Sequence, residues 1–250
     1  MRKFEDYTKH FSDLQGWFQP PAIAIWDALL DYQEKQGIVG NLLEIGVWKG
    51  KSASLAALHC LADEQCVFVD PLPLDSVRER ITSALPTTKC HYLTEFSQFL
   101  PRHPFVAQAV RGFRWIHIDG EHTAQAVSND LAIAEFLLGD RGMLVIDDFF
   151  NPGYPQVTQT VFQFLNAQPA RLAMVLCGFC KAYLCRPRAA REYLTFIRSS
   201  LFQEMQERQC EQVTIWKTTD PADMNTFGVT ERFLDFDYRG PDWDEHQIGI

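Results

Sequence analysis

No run of apolar residues in this chain approaches the roughly 18 needed to span a bilayer, and the opening Met1-Arg2-Lys3-Phe4-Glu5-Asp6 holds no apolar signal core. These two absences predict a soluble, cytoplasmic protein with no membrane partner. Positive charge is also scarce: 23 Lys and Arg face 32 Asp and Glu, for a formal net charge of -9. Such a field repels phosphate backbones and anionic surfaces, so no nucleic-acid partner is expected. A disulfide framework is missing too, because the seven cysteines are odd in number and scattered through predicted strands and helices. Cys177-Gly178-Phe179-Cys180, with Cys185 beyond, has spacing that zinc or redox chemistry can use. It falls inside a predicted strand pair with no second paired motif, which favours reduced, buried thiols. Internal repeats and low-complexity tracts are absent.

Two nucleotide-binding signatures are lacking as well. Glu44-Ile45-Gly46-Val47-Trp48-Lys49-Gly50-Lys51-Ser52 ends in Gly-Lys-Ser after a strand, yet Gly46 and Gly50 enclose three residues where a phosphate loop needs four. The Gly-x-Gly-x-x-Gly fingerprint is not there either, which argues against a nicotinamide or flavin cofactor.

What the chain does have is enough length for one large α/β domain, 250 residues with 46% hydrophobic content. After Pro20-Pro21, the residues Ile23, Trp26, Leu29 and Leu30 recur at helical spacing, predicting a helix over 21–36. Strands are expected at 40–46, 66–70, 90–93, 113–119 and 142–147, with helices at 52–62, 76–85, 127–139 and 156–168 between and after them. A closing antiparallel pair is expected at 171–177 and 181–186. This alternation predicts a doubly wound, mostly parallel, seven-stranded sheet, with its core over 40–187 and the domain over 1–187. Beyond Pro187, Tyr193, Phe196, Ile197, Leu201 and Met205 mark one helix over 188–210, and an acidic, aromatic tail follows. Residues 188–250 are therefore read as an appendage, not a second domain.

Chemistry concentrates at two predicted strand ends, Ile118-Asp119-Gly120-Glu121-His122 and Ile146-Asp147-Asp148. In open parallel sheets the ligand crevice lies outside the carboxyl ends of the strands, where strand order reverses, so these residues can meet although distant in sequence. Oxygen ligands with a histidine suit a divalent cation and a proton transfer. Successive strand residues point to opposite faces, so Asp147 and Asp148 both reach one cation only if the strand ends there. Glu121 is expected to be exposed, and His117 to be packed or to support a ligand. Trp17 and Phe18 either close over the site or anchor the helix that follows.

The turn from Glu44 to Gly50 resembles the first motif of the S-adenosylmethionine-dependent methyltransferases with a Rossmann-like sheet. By that resemblance Glu44, Gly46, Gly50 and Ser52 belong to the cofactor site, Asp70 matches the acid for the ribose hydroxyls, and Ser97 and Asp119 are further cofactor contacts. Thr94-Glu95-Phe96-Ser97 lacks the Gly-Asp-Ser of many relatives. Over roughly residues 42–186 the chain is similar to the metal-dependent small-molecule O-methyltransferases that include the macrolide-sugar enzymes. That similarity implies Asp119, Asp147 and Asp148 as ligands of a divalent metal, Mg2+ by its preference for oxygen, and His122 as general base. It implies methyl transfer to a hydroxyl of a small polyoxygenated molecule, a natural-product sugar or phenol, by an enzyme that can be a homo-oligomer. Two other readings stand beside it: an iron-dependent oxygenase resembling the cephalosporin hydroxylases, and a cofactor-binding homologue without turnover.

Overall fold

Leu42, Leu43 and Ile45, then Val67, Phe68 and Val69, then Trp115, Ile116 and Ile118, are buried on both faces of their strands, as parallel strands covered by helices on both sides require. In the computed structural model, which describes residues 2–167, 171–217 and 226–232, these segments are β1 (Asn41–Ile45), β2 (Cys66–Asp70) and β4 (Phe113–Ile118). With β3 (Cys90–Thr94) and β5 (Leu138–Ile146) they form the parallel part of one sheet, followed by the antiparallel β6 (Ala173–Gly178) and β7 (Lys181–Cys185). With β8 (Val213–Lys217) and β9 (Phe227–Glu231) at the far edge, strand order is β3-β2-β1-β4-β5-β7-β6-β9-β8. It reverses between β1 and β4, which places the ligand crevice at the ends of those two strands.

Side-chain alternation sorts the sheet's residues between two cores. Leu42, Phe68, Trp115 and Val145 pack on one face against α1 (Arg2–Phe11), α2 (Pro20–Lys35), α3 (Lys51–His59), α4 (Asp75–Ala84), α8 (Pro187–Ser199) and α9 (Leu201–Glu207). Leu43, Val67, Ile116 and Leu144 pack on the other against α5 (Pro104–Gln108), α6 (Ala124–Leu137) and α7 (Pro155–Ala167). The same alternation puts Glu44 and His117 on the α2 face, and the parallel register pairs them directly.

The sheet departs from expectation at its far edge, where nine strands replace seven. β8 (Val213–Lys217) and β9 (Phe227–Glu231) pair with each other, and β9 adds in parallel to β6. Residues 188–250 are thus more than an appended helix and tail: Val213, Ile215, Phe227 and Val229 continue the core that α8 and α9 also fill. The expected single helix over 188–210 is broken at Ser200, whose φ of -131° leaves the helical region. The N-terminal α1, unmarked by any cap or breaker, was not expected. The tail over 233–250 lies outside the described residues. All seven cysteines are free thiols. Among the described residues no helix is long and apolar enough to cross a membrane.

Candidate active site

β1 ends in a turn that only glycine can make. Gly46 has φ +85°, and a Cβ there would lie 1.9 Å from the Asp119 carbonyl oxygen, because the ends of β1 and β4 touch through backbone alone. The turn is held by Asp70, at the end of β2. Its Oδ2 accepts the Val47 and Trp48 N–H groups, each at 2.8 Å, and its Oδ1 accepts that of Leu72 at 2.8 Å. A carboxylate offers about four acceptor positions, so about one remains for a ligand hydroxyl. Gly46, Asp70, Ser97 and Asp119 line one cavity of about 560 Å³ together with Gly120 and Glu95. Four of the seven residues expected at the cofactor therefore share a crevice.

The other three are placed differently. Glu44 is buried, and its Oε1 accepts the Ser52 hydroxyl at 2.5 Å. Ser52 borders the neighbouring cavity. Gly50 starts α3 in a left-handed conformation, φ +77°, packed against Val77.

That neighbouring cavity, of about 610 Å³, is lined by Trp17, Trp48, Asp119, His122, Asp148 and Tyr154 among others. β5 ends at Ile146, so Asp147 and Asp148 lie beyond the pleat, and Asp148 adopts φ +56°. Asp148 Oδ2 lies 2.6 Å from His122 Nε2, and its Oδ1 accepts the Asn151 amide at 2.5 Å. His122 Nε2 is 3.8 Å from Asp119 Oδ1. The carboxylates of Asp119 and Asp148 hold the His122 pKa above the ordinary imidazole value. Burial and the nearby Asp147 charge push Asp119 up to about 6, against the pull of His122. One ligand atom each from Asp119, His122 and Asp148 falls within 4.8 Å of the others. Two crowded carboxylates and an imidazole suit a divalent cation, whose charge would relieve their repulsion.

Asp147 lines the same cavity, and one ligand atom each from His117, Asp119 and Asp147 also falls within 4.8 Å of the others. The Asp147 Oδ2 accepts from the Lys181 ammonium and lies 3.5 Å from His117 Nε2, while its Oδ1 accepts the Asp148 N–H at 2.8 Å. Burial works against ionisation of Asp147, but Lys181 and His117 outweigh it and hold the carboxyl well below the usual range. His117, buried between Glu44 at 3.3 Å and Asp147, has its pKa raised to about 9 despite desolvation. It is packed, as expected: Trp26 of α2 meets it edge-on at 4.6 Å.

Sequence reasoning missed Lys181, Tyr154 and Trp48. The signal for Lys181 was a lone cation opening a strand that is otherwise apolar, Lys181-Ala182-Tyr183-Leu184-Cys185, and all five residues are buried. Tyr154 stacks on His122 at 4.0 Å with 11° between the rings. The two readings of Trp17 and Phe18 divide between them. Phe18 is buried edge-on against Trp26, whereas Trp17 is 87% exposed and stacks on Trp48 at the rim of the cavity. Glu121 is exposed, as expected.

Residues 43–149 match the family described as "Methyltransferase domain". No curated protein matches the chain. Solved structures share its fold at low identity. The O-methyltransferase NovP is 15% identical, with a TM-score of 0.51 over 66% of this chain and 80% of its own. CalS11, a calicheamicin methyltransferase, is 13% identical with a TM-score of 0.51 over 74% and 91%. The mycinamycin-pathway methyltransferase MycE, solved with Mg and SAH, is 17% identical with a TM-score of 0.50 over 73% and 54%.

Proposed function

We propose, from the match of residues 43–149 to a methyltransferase-domain family, that the chain transfers a methyl group from S-adenosylmethionine to a hydroxyl of a small polyoxygenated molecule, a sugar or a phenol. The observation that carries this reading is that Asp119 lines both cavities, the one bordered by Gly46 and Asp70 and the one bordered by His122 and Asp148. A methyl donor in the first and an acceptor in the second would meet across a single residue. Holding two reactants in line is worth up to roughly 7–11 kcal/mol of barrier, more than any other effect available here.

Each wall has a distinct task in this reading. The Gly46 turn lets a ligand approach the backbone, and Asp70 fixes the turn while keeping about one acceptor position for a ribose hydroxyl. Trp17, Trp48 and Tyr154 offer flat apolar faces to an acceptor ring. Asp119 and Asp148 are suited to hold a divalent cation, which when bound lowers the pKa of an acceptor hydroxyl. His122 then accepts the proton, a contribution on the order of 10² to 10⁴ in rate. That MycE was solved with Mg and SAH supports the same pairing of cofactor and metal. An iron oxygenase of the facial-triad type uses two histidines and one carboxylate, whereas the cluster at His122 has one histidine and two carboxylates.

Thermal unfolding with S-adenosylmethionine or S-adenosylhomocysteine, each with and without Mg2+, tests the proposal, since a ligand that binds only the folded state raises its melting temperature. Both cofactor forms are expected to stabilise the protein, and chelator is expected to abolish turnover while leaving the circular dichroism spectrum unchanged. Absence of stabilisation by either form refutes the cofactor assignment.

A further inference from the structure

Cys66 and Cys90 open β2 and β3, and the parallel register of the two strands sets them directly opposite each other. Neighbouring strands lie about 4.7–4.9 Å apart. That spacing falls inside the roughly 4.4–6.8 Å between Cα atoms that a disulfide spans. Both side chains face the core filled by α3 and α4, where the Cys66 thiol meets the thiols of Cys60 and Cys90. Cys66 is fully buried, whereas Cys90 is partly exposed on β3, the edge strand of the sheet. Cys60 lies in the cap that follows α3, and its thiol donates to the Leu61 carbonyl at 3.8 Å.

The two paired sulfurs differ in a way that divides the chemistry between them. Burial, with Cys60 and Cys90 alongside, pushes the Cys66 thiol well above its ordinary value. The Cys66 thiol in turn outweighs burial at Cys90 and, aided by the Tyr92 hydroxyl, holds Cys90 below that value. Thiolate is the attacking species in thiol–disulfide exchange, so the partly exposed Cys90 is the thiol placed to react first.

We infer that Cys66 and Cys90 are a redox-active pair, in which Cys90 meets a low-molecular-weight disulfide such as oxidised glutathione and Cys66 then closes an inter-strand disulfide between β2 and β3. In the first step the Cys90 thiolate attacks one glutathione sulfur, forming a mixed disulfide and releasing a glutathione thiolate, which takes up the proton that Cys90 gave. In the second, Cys66 loses its proton, attacks the Cys90 sulfur and expels the second glutathione as its thiol. Two protein thiols are oxidised, and one glutathione disulfide is reduced to two thiols. The pair sits at the opposite end of β2 from Asp70, so the inference stands independently of the methyl-transfer reading.

Incubation of the folded full chain with oxidised glutathione, alkylation of the remaining thiols and peptide mapping by mass spectrometry reads the pairing. Cleavage after Glu64 separates Cys60 from Cys66. Wild type is expected to yield a Cys66–Cys90 disulfide that dithiothreitol reverses. Cys66→Ser should stop at glutathione on Cys90, because the closing thiol is gone. Cys90→Ser should slow the loss of free Cys66 about tenfold or more, because the buried thiol then has no reactive partner. A Cys60–Cys66 link in wild type, glutathione retained on Cys90, or Cys66 and Cys90 both still alkylated overturns the inference. A Cys66→Ser protein that is folded by circular dichroism and leaves Cys90 unreacted overturns it as well, and if that variant does not fold the wild-type map decides alone.

Discussion

Replacing Gly46 by alanine should cost far more than replacing Gly37, although both glycines adopt left-handed backbone. Gly37 has φ +64° and follows Gln36, the C-cap of α2, and a Cβ there would meet nothing within 4 Å. Only the conformational penalty applies, about 1 kcal/mol for an L-residue in that region. Gly46 bears the same penalty at φ +85°, and its Cβ would also lie 1.9 Å from the Asp119 oxygen, 2.3 Å from the Asp119 carbonyl carbon and 2.7 Å from the Gly120 nitrogen. All three atoms are backbone, so no side chain can rotate away. Retreat is also blocked, because the Gly46 N–H donates to Val69 and the Asp119 N–H donates to Ile45, tying the turn to β2 and β4 at 2.8 and 2.7 Å. Forcing a methyl group into such packing adds roughly 1–3 kcal/mol. The expected totals are about 1 kcal/mol for Gly37→Ala and about 2–4 kcal/mol for Gly46→Ala. Urea unfolding monitored by tryptophan fluorescence measures both, compared through their midpoints. Gly46→Ala as stable as Gly37→Ala would refute the claim that β1 and β4 meet backbone to backbone.

His122→Ala should lower kcat by about 10² or more with an aliphatic hydroxyl acceptor, and should leave cofactor affinity within a few-fold; a near-normal kcat across pH 6 to 9 would assign the proton transfer to another group. Asp130, buried in α6 with its Oδ1 unpartnered, has its carboxyl pushed up to about 6 by burial, aided by Glu121 and opposed by Ser97. Because the folded state then binds the proton more tightly than the unfolded chain, stability should fall as pH rises from about 4 to about 6, and Asp130→Asn should be the more stable protein above that window by on the order of 2–3 kcal/mol. Urea midpoints at pH 4 and pH 7.5 check this, and an Asn variant no more stable than wild type at pH 7.5 contradicts it.

The parallel core was legible because Leu42-Leu43, Val67-Phe68-Val69, Trp115-Ile116 and Met143-Leu144-Val145-Ile146 are apolar stretches buried on both faces of their strands. Asp119 and Asp147 stood out because each directly follows the last isoleucine of a strand, and Asp148 because it doubles the acid at the second of these ends. β8 and β9 were not legible. Thr214 and Gly228 interrupt short strands at the sheet's edge, and parallel pairing with β6 depends on a return of the chain that no local pattern records. Lys181 was hidden for a related reason: its partner is 34 residues away and is fixed only by the register of β5 on β7. Asp70 was read as a cofactor acid from its place at a strand end, but its three backbone partners are set by how the Gly46 turn folds over β2. Type and position of a residue were readable from the chain, while the direction its side chain takes was decided by tertiary neighbours.

In the proposed function, the crevice bordered by Gly46, Asp70, Ser97 and Asp119 takes S-adenosylmethionine. Isothermal titration of S-adenosylhomocysteine into wild type and Asp70→Ala tests it most directly. One site per chain is expected with Kd in the micromolar range, about −8 kcal/mol, and at least a tenfold loss in the folded variant, which lacks both the ribose acceptor and the anchor of the turn. No binding by wild type, or equal binding by Asp70→Ala, contradicts it.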